Sequence, residues 1–163
     1  MKRGGKGPLV RISDQQSRAK LFHSKIKRLT KQILLKLHQR KEIRLVFVSD
    51  PTIRRLNRQF HGHHQTTDVL AFEVPSHRLF QNRQRFLLGE IIISIDRTFV
   101  NARRFQVAPS EELMRYVAHG ILHLLGARDE KPREREKMFR RQEVLLRKLG
   151  PVGWLVSDGS SKD

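Results

Sequence analysis

Residues 110–130 hold the side chains best placed to do chemistry: His119 and His123 four apart, then Gly126, then Asp129. On an α-helix that spacing stacks two imidazoles on one face, where each can turn a ring nitrogen toward a single ion. Glycine at 126 can take the left-handed conformation that reverses a chain after a helix, which would bring Asp129 back as a third ligand. Three protein ligands leave one coordination position open, the feature that separates a catalytic metal site from a closed structural one. Histidine pairs at this spacing also occur on ordinary helices. Here Ile121, Leu122, Leu124 and Leu125 surround the pair, so the rings are expected to be at least half buried, and buried polar groups need partners.

The residue after the first histidine narrows the chemistry. Metalloproteases with this helical pair carry their general base there, as the glutamate of HExxH, and this chain has Gly120. Peptide hydrolysis is therefore disfavoured. An iron oxygenase with two histidines and one carboxylate would need a reductant site and room for oxygen, and no motif signals either. Cysteine is absent, so a metal can sit only on His, Asp or Glu; the lack of thiols also fits a reducing compartment. The start, MKRGGKGPLV, lacks the apolar run of a signal peptide, and no stretch approaches membrane-spanning length. The expectation is a soluble, cytoplasmic protein without a membrane partner.

Charge points to the partner. With 34 Lys and Arg against 16 Asp and Glu, the formal net charge is +18, which favours a polyanion, and RNA or DNA is the commonest one inside cells. Twelve of the basic residues lie within the first 40 positions, where Asp14 is the one acid.

The elements that must position these residues follow from periodicity. At 163 residues the chain is one domain by length. Residues 1–8 read as a flexible basic arm, 9–150 as the folded domain and 151–163 as a polar C-terminal tail. A short strand is expected at 9–13. Ser17 is expected to cap a helix to about residue 39, with Phe22, Ile26, Leu29, Ile33 and Leu37 as its buried stripe. Further strands are expected at 43–48, 67–74 and 86–95, the last apolar enough to be central. A helix opens at Asp50-Pro51 and turns Ile53, Leu56 and Phe60 inward, followed by the histidine-rich loop HGHHQ, read as solvated. Residues 75–85 read as a basic loop, 96–105 as a short helix, and Pro109 opens the histidine helix. Pro132 opens a last helix expected to bury Phe139, Leu145, Leu146 and Leu149. Strands interleaved with about five helices imply an α/β fold with a mixed four-stranded sheet.

Three blocks carry a family resemblance. HGILHLLGARDE is similar to the signature HGxLHLxGYDH of the YbeY family of bacterial endoribonucleases, the metal-dependent rRNA maturation factors. LNRQFHGHHQTTDVLAF resembles that family's LNxxYRxxDxxTDVLSF, and LLGEIIIS its LLGDIVIS. The resemblance runs from about residue 43 to 129 and implies the same mixed sheet. It aligns Asp129 with the family's third histidine, giving metal ligands His119, His123 and Asp129, with Glu130 as the alternative to Asp129. Zinc is the implied ion. A carboxylate in the set also suits manganese, nickel or iron. Where the family has an arginine on the phosphate, this chain has His61, so His61, Arg58 and Arg115 are the candidate catalytic residues, with Arg54 a further arginine nearby.

The activity the resemblance implies is a metal-dependent, single-strand-specific endoribonuclease. It would act in ribosomal RNA maturation, at the 3′ end of the small-subunit RNA, and in ribosome quality control, with ribosomal proteins or a GTPase assembly factor as partners. The competing reading is a non-catalytic RNA- or ribosome-binding assembly factor in which the metal is structural.

Overall fold

The computed structural model describes residues 7–61, 67–73 and 87–159. Along the chain run β1 (Val10–Asp14), β2 (Lys20–Leu21), α1 (His23–Lys36), β3 (Glu42–Val48), α2 (Asp50–His61) and β4 (Val69–Glu73). They are followed by β5 (Leu87–Ser94), α3 (Ile95–Phe105), α4 (Pro109–Leu124), α5 (Pro132–Leu149) and β6 (Val156–Ser157). Residues 1–6 of the arm, residues 62–65 of the histidine-rich loop and the basic loop at 75–85 lie outside the described residues, while His61, the first residue of that loop, ends α2.

One mixed sheet has the order β1-β3-β5-β4, with β1, β3 and β5 parallel and β4 antiparallel to β5. This is the expected α/β architecture, with β5 paired on both sides. Strand period places Ile43, Leu45, Phe47, Ile91 and Ile93 in the larger core, under α1, α4 and α5. Val46, Val48, Leu70, Ile92 and Phe72 point the other way, where Ile53 and Leu56 of α2 cover them.

Helix α4 is the buried centre of the molecule, because two glycines let it lie directly on β5. A Cβ added at Gly120 would stand 2.7 Å from Cδ1 and Cγ2 of Ile91. One added at Gly89 would stand 2.5 Å from Cδ2 of Leu124 and 2.6 Å from the carbonyl oxygen of Phe72. Each glycine thus makes the hole that a side chain of the opposite element fills. A glutamate at position 120, as in HExxH, would have to enter this contact.

Long-range pairing corrects two local expectations. Ser17 does not cap α1, which starts at His23. Lys20 and Leu21 are instead drawn into a two-stranded ribbon with β6, and Phe22 N–H donates to the Leu155 carbonyl at 2.9 Å. The segment after residue 150 is accordingly folded in part: Leu155 and Val156 are buried, and the Ser110 hydroxyl accepts from both their amides. At the other end Pro8 is buried, although the arm was expected to extend through it. In α5 Met138 takes the inward position, and Phe139, expected to be buried, faces solvent; Phe60 in α2 is likewise exposed, edge-on to Phe72.

Alanine at either glycine tests the interlock. Overpacking costs about 1–3 kcal/mol, and helix propensity returns about 1 kcal/mol at position 120. Gly120→Ala should therefore lose up to about 2 kcal/mol, and Gly89→Ala should lose more, since a backbone carbonyl cannot rotate aside. Urea unfolding gives both losses; an equal or reversed order would contradict the interlock.

Candidate metal centre

The turn after α4 builds the centre. Gly126 adopts φ 93°, its amide donates to the His123 carbonyl at 2.9 Å and Ala127 N–H to the Leu122 carbonyl at 3.0 Å. These two bonds end the helix as a Schellman motif, in which glycine avoids the steric cost of a positive φ. The reversal leaves the Ala127 carbonyl 3.0 Å from His123 Nδ1 and returns Asp129 to the face of the histidines. Arg135, in the first turn of α5, donates from Nε to the Asp129 carbonyl at 3.2 Å and ties this segment down.

His119 Nε2 and His123 Nε2 lie 3.0 Å apart, and Asp129 Oδ2 is 3.5 Å from the first and 3.4 Å from the second. A backbone carbonyl can only accept, so His123 donates from Nδ1, which leaves Nε2 as the ring atom that can ligate. His119 is arranged alike: its Nδ1 is 3.1 Å from Gln142 Oε1 on α5. With Nδ1 of each ring engaged behind it, two Nε2 atoms and a carboxylate oxygen converge, an arrangement that favours a cation. A tetrahedral ion with bonds of about 2.0–2.1 Å needs donors about 3.3–3.4 Å apart; the two separations to Asp129 match this, and the imidazoles at 3.0 Å would have to part by about 0.3 Å. Partners behind each ring, as here, are what orient metal-bound histidines. The side chains are 25%, 29% and 36% exposed for His119, His123 and Asp129, so one side stays open. Burial, and then His123, push the pKa of His119 below its usual value against the pull of Asp129, which keeps the ring neutral and able to ligate. Glu130 is exposed and outside this group.

The other expected site residues are placed differently. Arg115 lies one turn before His119 but is turned to three carboxylates: Glu143 at 2.9 Å, Glu111 at 2.6 Å and Glu112 at 3.4 Å. Burial works against its charge, yet the hydrogen bond and charge of Glu143, with those of Glu111, raise its pKa above the usual value. Arg58 is exposed on α2, and Arg54 pairs with Asp50 at 2.9 Å. His61 closes α2, and its side chain lies outside the described part.

A groove of about 720 Å³ opens beside His119, between α3, α4 and α5. Asp68 and Arg97, paired at 3.1 Å, stand at one side. Its floor holds Glu112, whose pKa burial raises against the hydrogen bond of Tyr116, and Tyr116 itself, whose hydroxyl accepts from Asn101 at 2.7 Å. A second hollow borders His123, and Val69 of β4 lines both. Gln142 was not foreseen. Its signal was a lone polar residue in the stripe Met138, Gln142, Leu145, Leu146.

Fold and site together define an α/β protein with a helix-borne, three-donor centre open to a groove. Residues 11–150 match the family described as Endoribonuclease YbeY, and the chain belongs to that family. Endoribonuclease YbeY of Anaeromyxobacter sp. (strain Fw109-5) is 39% identical over 118 residues, covering 72% of this chain and 59% of that protein. The chain thus spans less than two thirds of that relative's length. Its namesake in Syntrophus aciditrophicus (strain SB) is 32% identical over 140 residues, covering 84% of this chain and 87% of the relative. The solution structure of TM1509 from Thermotoga maritima superposes with a TM-score of 0.59 at 26% identity, covering 94% of this chain and all of that one.

Gln142→Leu should remove the acceptor behind His119 while fitting the apolar stripe around it. Zinc affinity, measured by chelator competition, is expected to fall about 10- to 100-fold with the fold retained. Unchanged affinity would show that the ring needs no such support.

Proposed function

We propose that this chain is a metal-dependent endoribonuclease that cuts single-stranded RNA in the cytoplasm, with ribosomal RNA as its substrate. The observation that carries the reading is the convergence of His119 Nε2, His123 Nε2 and Asp129 Oδ2 beside an open groove. Family membership and the net charge of +18 support an RNA substrate. Among the described residues no helix is long and apolar enough to cross a membrane. Within ribosomal RNA maturation, 3′ end processing of the small-subunit RNA and ribosome quality control are the proposed roles, with ribosomal proteins or a GTPase assembly factor as partners.

Zinc is the proposed ion, with manganese, nickel and iron as the ions the carboxylate also suits. Bound there, it would supply Lewis-acid polarisation of a phosphoryl oxygen and a water of lowered pKa. The protein's own part is to orient both histidines from behind, through Gln142 and the Ala127 carbonyl, so that Nε2 of each ring faces the ion, and to leave one side of the donor set open. His61 and Arg58, near the end of α2, are proposed to meet the phosphate. Arg115 is proposed to act by position, since its pair with Glu143 joins α4 to α5 one turn from His119, with Glu111 and Glu112 holding it on α4. That neutralised arginine also favours the second reading, an RNA-binding assembly factor with a structural metal. The exposure of the three donors favours catalysis.

His123→Ala separates the two. The variant should remain folded by circular dichroism, still bind RNA, lose zinc and lose cleavage of an unstructured oligoribonucleotide. Cleavage that survives loss of both His119 and His123 would assign the activity to a contaminant. Binding should also weaken steeply between about 50 and 200 mM salt, as expected when several phosphates are neutralised. A flat response would contradict the electrostatic part.

A further inference from the structure

Two phenylalanines lie exposed in the groove beside His119. Phe105 is 57% and Phe139 56% exposed, and both line the same hollow as His119. Each is held there by local geometry. Phe105 is the last residue of α3, and Gln106 after it takes φ 55°, a conformation rare for a residue other than glycine, with Val107 N–H bonded back to the Ala102 carbonyl at 2.9 Å. Phe139 is one position away from the inward stripe of α5, so the packing of Met138 and Gln142 turns it out.

Cations stand among the rings. Arg104 places its guanidinium carbon 5.5 Å from the centroid of Phe105, and among the described residues it has no carboxylate partner. Arg97, two turns earlier on α3, lines the same groove and pairs with Asp68. A protein helix docking here would need a continuous apolar strip, whereas this groove is also lined by Arg97, Arg104, Glu112 and Arg135. Exposed rings that share a groove with guanidiniums suit a strand whose bases alternate with phosphates, because every base offers a π-face whatever its identity.

We infer that Phe105 and Phe139 are stacking platforms that receive unpaired bases of the RNA strand whose phosphate lies at the His119–His123–Asp129 centre, with Arg104 on a neighbouring phosphate. The inference rests on the ribonuclease reading for the identity of the strand. It adds the source of strand selectivity: a base inside a duplex has its faces covered by its neighbours and cannot lie on either ring.

The test uses the full chain and a 2′-O-methyl oligoribonucleotide of about twelve nucleotides, single-stranded or annealed to its complement, with binding followed by fluorescence anisotropy. Phe105→Leu and Phe139→Leu keep apolar bulk at exposed positions and should fold normally. Each is expected to weaken single-strand binding roughly 5- to 150-fold, leave duplex binding within about twofold, and regain single-strand affinity as tyrosine. The ratio to the unsubstituted chain should hold constant between about 50 and 200 mM salt, although both affinities fall. Single-strand affinity unchanged in the leucine variants, or lost equally for duplex, overturns the inference. Cleavage of unmodified RNA by the unsubstituted chain is scored separately. A chain that does not cut but shows the phenylalanine-dependent loss keeps the platforms and loses the ribonuclease; a chain that cuts while the variants bind unchanged does the reverse.

Discussion

The contact between α4 and β5 governs the rest of the structure. Ile91 occupies the space that a side chain at Gly120 would need, and Leu124 the space that one at Gly89 would need. Two such holes fix both the rotation of the helix and its height along the strand, because interiors pack too densely to let either slide. His119 and His123 each sit one residue before an interlocked position, so their direction follows from it. They leave the sheet side and meet α5 and the turn after α4. The same contact explains on structural grounds why Gly120 stands where a metalloprotease has its base: that position faces β5 and has no room for a carboxylate.

Around this contact the polar groups are arranged by partners rather than by exposure. The two imidazoles are held from behind, one by a side-chain amide and one by a backbone carbonyl, and the difference matters. The Ala127 carbonyl comes with the Schellman turn and depends on Gly126, whereas the Gln142 acceptor depends on α5 docking in register. Arg115 ties the two helices one turn from His119 through its ion pair with Glu143 on α5, while Glu111 and Glu112 hold it from within α4. A partly buried arginine with three carboxylates is an expensive arrangement to break by removing one partner.

What could be read from the sequence follows the range of the interactions. His119, His123, Gly126 and Asp129 lie within eleven residues, and helix period with one glycine turn is enough to bring them together. The strands with near-continuous apolar runs were legible for the same reason. Ser17 was misread as a cap because the pairing that ends the preceding segment comes from Val156 and Ser157, far along the chain. Phe139 and Met138 are adjacent and both apolar, so periodicity alone could not say which faces inward; the docking of α5 on α4 decides it. The neutralisation of Arg115 was partly visible, since Glu111 and Glu112 lie within one turn, but Glu143 could be placed only by the fold.

The central claim is that one ion is held jointly by two imidazoles and one carboxylate. The most direct measurement is anomalous diffraction at the zinc edge from crystals of the zinc-loaded protein. The account predicts a single peak about 2.0–2.2 Å from His119 Nε2, His123 Nε2 and Asp129 Oδ2 together, with a fourth position facing the groove. An ion that leaves Asp129 out, binds Glu130 in its place, or sits elsewhere in the chain would contradict it.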